Sequence, residues 1–211
     1  MKMCLLPFAA LFLIFQGCKP DSEYEVTGNV SDGNTGLAVS NAKVYIDFSK
    51  LENGAYSNSF SNITETETDE LGNYNVEFRA EKVVEYRVRV EGDAFFNVFD
   101  TLNRNEWLAS ESNEHSVLVY RDSKIKFHFY SSQSGITVLF KMMPHSENCG
   151  TCCSASNYVF GGIVDTTFTC PVYGNQTIEY ELTRISGVQS SQETGQIDVY
   201  EDEVNFEYQI N

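Results

Sequence analysis

The sequence predicts an all-β chain: two tandem antiparallel β-sandwich domains behind an N-terminal leader. Three observations carry that expectation. Apolar and polar residues alternate with period two along most of the chain, as in Val84, Tyr86, Val88 and Val90 against Glu85, Arg87 and Arg89. Turn-forming clusters interrupt the runs at short intervals: Asp32-Gly33-Asn34, Asn53-Gly54, Leu71-Gly72-Asn73, Glu91-Gly92-Asp93 and Tyr173-Gly174-Asn175. Aromatics make up 13% of the residues, and Val, Ile and Thr are plentiful, which suits a pleated, half-buried surface. Beyond the leader, only residues 104–111 carry a helical signal, enough for one or two turns.

The leader comes first. Met1-Lys2-Met3 precedes an apolar run from Cys4 to Phe15, followed by Gln16-Gly17-Cys18. A positive start, an apolar centre of about a dozen residues and a small residue at the break are the parts of a secretory signal. The run falls short of the ~20 apolar residues a spanning helix needs. With cysteine at the break, the segment resembles the lipobox of bacterial lipoproteins. The resemblance implies cleavage after Gly17 and acylation of Cys18, with about 0.8 kcal/mol of anchoring per buried methylene. Residues 1–17 are then the signal peptide, and 18–23 the lipidated cysteine and a short polar tether. Lys19-Pro20-Asp21-Ser22-Glu23 is similar to the surface-export signals of Bacteroidota lipoproteins. The expected address is the outer membrane, on its periplasmic or its cell-surface side.

Charge narrows the partners. The whole chain carries −16; residues 1–17 hold one lysine and no acid, so the remainder carries −17. Such a chain repels nucleic acid and anionic lipid, so no nucleic-acid partner is expected. The membrane is reached through the lipid.

In the first sandwich, expected over 24–122, Val26, Gly28 and Val30 share one face. Val44, Ile46 and Phe48 share the next, then Tyr74, Val76 and Phe78, then Val84 to Val90. Phe96 and Val98 continue the series, with Val117 and Val119 closing it. Gly28-Asn29-Val30-Ser31-Asp32, Thr35-Gly36, Val39, Asn41-Ala42 and Val44 resemble the start of a carboxypeptidase regulatory-like domain. Thr68-Asp69-Glu70-Leu71-Gly72-Asn73-Tyr74 is similar to that family's later turn. The resemblance implies a seven-stranded, transthyretin-like sandwich that accompanies other modules and brings no catalytic residues. Gly36 and Gly72 supply backbone angles costly for other residues.

The pattern restarts at Asp122-Ser123. Ile125, Phe127 and Phe129 alternate with Lys126, His128 and Tyr130. Ile136, Val138 and Phe140 follow, then Phe168 with Cys170, then Ile178, Tyr180 and Leu182. Ile197 and Val199 precede the turn at Glu201-Asp202, and Val204, Phe206, Tyr208 and Ile210 close the chain. A second β-sandwich with a Cys-rich loop is expected over 123–211. The tandem is similar to domain pairs in Bacteroidota surface lipoproteins. No repeat of 20–50 residues is visible.

Four cysteines remain after Cys4 and Cys18: Cys149, Cys152, Cys153 and Cys170. An even number in an exported chain points to disulfides, with three possible connectivities. Pairing one of Cys152 and Cys153 with Cys149, and the other with Cys170, avoids a strained bond between neighbours. The alternatives are zinc held by the four sulfurs or with His145, and redox chemistry at Cys149-x-x-Cys152. The first lacks a second well-spaced pair, and the second lacks the usual helix start.

Other constellations are weaker. His115, His128 and His145 stand near no Gly-x-Ser-x-Gly turn and in no His-Glu-x-x-His pattern, so they read as surface or packing residues. Glu65, Glu67 and Asp69 share a strand face, and Asp198, Glu201, Asp202 and Glu203 cluster at a turn. Neither row converges as calcium requires, and both read as solvated faces. Asp100-Thr101-Leu102 and Asp165-Thr166-Thr167 resemble the O-glycosylation acceptor of Bacteroidota, which would place glycans on Thr101 and Thr166.

The expected function is a non-enzymatic, lipid-anchored accessory or binding module of the outer membrane, without cofactor, presenting loops or an edge strand to a protein or glycan partner. One alternative is a carbohydrate-active or peptidase accessory subunit with carboxylates paired in a loop-built cleft. Another is a structural or adhesive subunit that assembles by strand addition.

Overall fold

Every regular element among the described residues is a β-strand. The computed structural model describes residues 22–52, 55–56, 59–80 and 83–211. The leader, Cys18 and the Asn53-Gly54 turn lie outside the described residues.

Nine strands form the first half: β1 (Ser22–Asp32), β2 (Lys43–Glu52), β3 (Ala55–Tyr56), β4 (Ser61–Glu67), β5 (Asn73–Ala80), β6 (Val83–Gly92), β7 (Phe95–Asn103), β8 (Ser112–Glu114) and β9 (Val117–Val119). β1 is central in one sheet, with β5 on one side and the short β8 and β9 on the other. The facing sheet runs β4-β2-β6-β7, and β3 extends the β2 edge. Ser22 and Glu23, read from the sequence as tether, belong to β1, because they pair with Ala80 and Arg79.

The second half has β10 (Asp122–Ser131), β11 (Ile136–Met143), β12 (Tyr158–Gly161), β13 (Val164–Tyr173), β14 (Gln176–Ser186), β15 (Gln189–Val199) and β16 (Glu203–Gln209). Its sheets run β13-β10-β16 and β12-β11-β14-β15. With β3 and β4 counted together as the third strand and β8 and β9 as the seventh, this is the order of the first half: the opening strand lies between the fourth and the last, and the second between the third and the fifth. The two halves share one seven-strand plan that no sequence repeat announces.

The sheets are antiparallel except where β8 and β9 meet β1 and where β16 meets β10, which are parallel. The reason is parity. Successive strands alternate in direction, so the first and seventh run the same way and can pair only in parallel.

The interior falls into two apolar clusters. One is built from Val26 through Val119 and the other from Ile125 through Ile210. The alternation read from the sequence positions both. Val26 and Val30, then Tyr74, Val76 and Phe78, point into the first; Ile125, Phe127, Phe129, Val138 and Phe140 point into the second. One register shift alters a face: between Ser49 and Lys50 the β2–β6 pairing passes over Val84, so Val83 is buried in its place.

Two glycines are required by a close backbone neighbour. A Cβ on Gly28 would strike the His115 backbone and the Tyr74 ring. Gly72 has φ +76° and lies against the Val30 carbonyl. Thr68 ties the adjacent loop: its hydroxyl donates to Val39 O at 2.7 Å and accepts from Ala42 N at 2.9 Å. Asp69 shapes the turn by accepting from the Asn73 and Leu71 N–H groups, both at 2.8 Å; the Asn73 bond in particular holds its carboxyl below the usual range.

Residues 104–111 form turns, not the helix expected of them. The buried Asn113 side chain takes up the backbone groups there. It accepts from Leu108 N and donates to the carbonyls of Leu108, Glu111 and Glu25. Trp107 is thereby turned inward to pack on Tyr86 and Phe78.

The outer face of β2 and β6 holds a buried carboxylate. Asp47 is 2% exposed and accepts from Arg87 Nη2 at 2.7 Å and Arg89 Nε at 3.4 Å. The guanidiniums stack on aromatic rings, Arg89 over Tyr45 at 3.7 Å and Arg87 over Phe60 at 4.2 Å. Removing the carboxylate leaves Arg87 without its ion partner and Arg89 with Glu91 alone. Asp47→Ala is expected to cost about 2 kcal/mol, read from the urea midpoint, with Asp47→Asn costing less; a midpoint unchanged by Asp47→Ala would refute this role.

Candidate functional site

Two turns that the sequence marks only as punctuation meet at the junction of the sandwiches. Asp32, at the end of β1, is buried. One of its carboxylate oxygens accepts from the N–H groups of Asn34 and Thr35, at 2.8 and 3.1 Å, and the other accepts from Asn175 Nδ2 at 2.6 Å. Asn34 Nδ2 donates to Gly174 O at 2.8 Å, and Asn34 Oδ1 lies 3.0 Å from His145 Nδ1. Asn175 has φ +56°, a conformation asparagine tolerates better than most residues. Beside these bonds the Tyr120 and Tyr173 rings stack at 4.1 Å, and Phe96 meets Tyr173 edge-on at 5.4 Å. His145 is thus a junction residue.

These contacts set the walls of an open groove of about 910 Å³. On one side β7 and β9 run alongside each other with no ladder between them. They are tied by Phe96 N–H to Tyr120 O at 2.9 Å, and by Asp100 Oδ2 lying 3.2 Å from His115 Nε2. Between those ties, Phe99 and Leu118 stay 56% and 54% exposed. The far wall is the segment Asn148 to Thr151 of the second sandwich, and Asp100 and Asp122 contribute carboxylates. Large apolar side chains exposed together in a concave site mark a contact surface more than a solvated one.

The far wall is pinned. Cys149 is bonded to Cys152, and Cys153 to Cys170 on β13. Tyr173 Oη donates to Glu147 O at 2.7 Å, and His145 N donates to Gln176 Oε1 at 2.9 Å. All four sulfurs are committed to the two bridges, which leaves no thiolate for the zinc alternative. Among the described residues no group of three or more His, Cys, Asp or Glu is placed to hold a metal.

The remaining candidates are dispersed. Asp198 accepts from Thr177 Oγ1 at 2.7 Å, and Asp202 pairs with Arg121 at the same distance, so that cluster is spent on separate partners. Glu65 and Glu67 are exposed on β4. Thr101 is exposed on β7, whereas Thr166 lies half-buried on the inward row of β13. The groove itself escapes sequence reasoning, since its lining comes from β7, β9, β13 and the disulfide loop.

No family model matches the chain, and no curated protein does. Among solved structures, the TIE protein of Bacillus anthracis is 12% identical over 90% of this chain and 34% of that one, with a TM-score of 0.37. A streptococcal ancillary pilin is 14% identical over 92% of this chain and 64% of that one, at 0.34. The minor pilin GBS52 of Streptococcus agalactiae is 11% identical over 89% and 94%, at 0.33. The chain spans about a third of the first of these and just under two thirds of the second.

Away from the groove, His128 on β10 bridges its neighbours. Its Nε2 is 2.7 Å from Asp165 Oδ1 on β13, and its Nδ1 is 3.6 Å from Glu207 Oε1 on β16. The Asp165 bond, with Glu207 behind it, raises the imidazole pKa above its ordinary 6.5. A raised folded value adds stability that is fully present below about pH 6.5 and is lost as pH climbs through the folded value. The urea midpoint is therefore expected to fall as pH rises through and just above neutrality, and His128→Gln to flatten that slope. An identical slope in the variant would assign the pH response to other groups.

Proposed function

We propose that this chain is a lipid-anchored, non-enzymatic binding module of the outer membrane that takes a protein or glycan partner in the junction groove. One observation carries the reading: exposed Phe99 and Leu118 stand in a concave site whose opposite wall is fixed by a disulfide and by Tyr173. Rigid walls lower the ordering cost of binding, and exposed apolar side chains supply its driving force. The lipobox-like Gly17-Cys18 supports the anchor.

A second reading, self-assembly by strand addition, is supported by β15. It is an eleven-residue edge strand paired only with β14, and it contains neither lysine nor proline, the usual protections of a bare edge.

One experiment addresses both. A photo-crosslinking residue is placed at Leu118, at Thr194 on β15, or at the exposed control Leu37, in the native cell, and the adducts are analysed by mass spectrometry. The groove reading expects a defined adduct at Leu118 and none at Leu37. A second copy of this chain captured at Thr194 favours self-assembly. Equal labelling at Leu118 and Leu37 overturns the groove reading, and a mature peptide lacking acyl mass on Cys18 overturns the anchor.

A further inference from the structure

Aromatic and acidic residues share this groove, and cations are missing from it. Phe95, Phe96 and Phe99 line it together with Asp100 and Asp122, and no lysine or arginine does. The arginines nearest in sequence or space are committed elsewhere. Arg121 pairs with Asp202 at 2.7 Å, and Arg87, whose guanidinium lies 5.3 Å from the Phe99 ring, pairs with Asp47 at 2.7 Å. Aromatic faces and carboxylates both attract a cation, and a partly desolvated site strengthens that attraction. The groove's length along β7, from Phe95 to Asp100, suits a short run of extended chain.

We infer that the groove's guest is a basic segment of a partner protein, an extended stretch in which lysine or arginine alternates with apolar residues. The apolar side chains meet Phe99 and Leu118, and the cations meet Asp100, Asp122 and the faces of the phenylalanines. This rests on the groove reading above and specifies its partner class.

The test uses fluorescence anisotropy with three capped, labelled octapeptides on the full chain. One alternates Lys with Val, one alternates Glu with Val, and one alternates Ser with Val. The expected result is saturable binding of the lysine peptide, at least ten-fold tighter than either other peptide. It should weaken at least five-fold in the isosteric double variant D100N/D122N and on raising salt from 50 to 500 mM. The chain's overall negative charge could attract the same peptide, so E65Q/E67Q, which removes two exposed acids on β4, separated from β7 by β2 and β6, serves as control and should leave the affinity unchanged. Equal weakening by both double variants, or equal affinity for the glutamate peptide, overturns the inference. If no peptide binds while Leu118 still crosslinks a partner, the basic class is wrong and the groove reading stands. If neither occurs, both fall.

Discussion

The hydrogen bonds of Asp32 and Asn34 decide how the two sandwiches sit. One buried carboxylate organises its own turn with one oxygen and grips the Asn175 amide of the neighbouring sandwich with the other. Asn34 adds two further bonds across the seam, to Gly174 and His145. Hydrogen bonds of this kind specify direction as well as proximity, and those to a charged group are the stronger ones. The Tyr120–Tyr173 stack fills the space beside them. Without this seam, β7 and β9 on one side and Asn148–Thr151 on the other would have no fixed separation, and the groove would be two unrelated surfaces.

The groove's chemistry follows from what surrounds it. Arg87 and Arg121 stand near it, yet their guanidiniums are held by Asp47 and Asp202. The acids that line the groove keep no such cation. His115 Nε2 stands 3.2 Å from Asp100, but the ring is sunk against Trp107. A surface that is apolar and anionic at once is therefore maintained by local pairing, and the chain's net charge of −16 is only its background.

Much of the fold was legible in the residues. Period-two alternation located the inward rows of β1, β5, β10, β11 and β14, because one face of each is buried and the pattern has no other use. It misplaced Val84, since a bulge is invisible to a fixed period. β12 escaped, and β15 was read only at its Ile197–Val199 end, for opposite reasons: Tyr158–Gly161 is too short to show a pattern, and the rest of Gln189–Val199 is polar on nearly all positions of an edge. Residues 104–111 looked helical because nothing local reveals that Asn113 will claim their backbone. The cysteines announced a braced loop, but not that the loop would wall a groove. The site is assembled from positions far apart in the chain, and alternation or spacing within one segment has no access to such neighbours.

The parity that makes the first and last strands of each sandwich parallel has a mechanical corollary. Tension between the two ends of a sandwich draws these neighbours lengthwise past one another. Their hydrogen bonds are loaded together, in shear, and do not peel open one at a time. In the second sandwich that shared ladder runs unbroken from Lys124 opposite Glu203 to Tyr130 opposite Gln209, whereas in the first it is divided between two short pieces. Under drag the first sandwich is thus the softer link and would yield before its neighbour, a matter of unfolding rate and not of equilibrium stability.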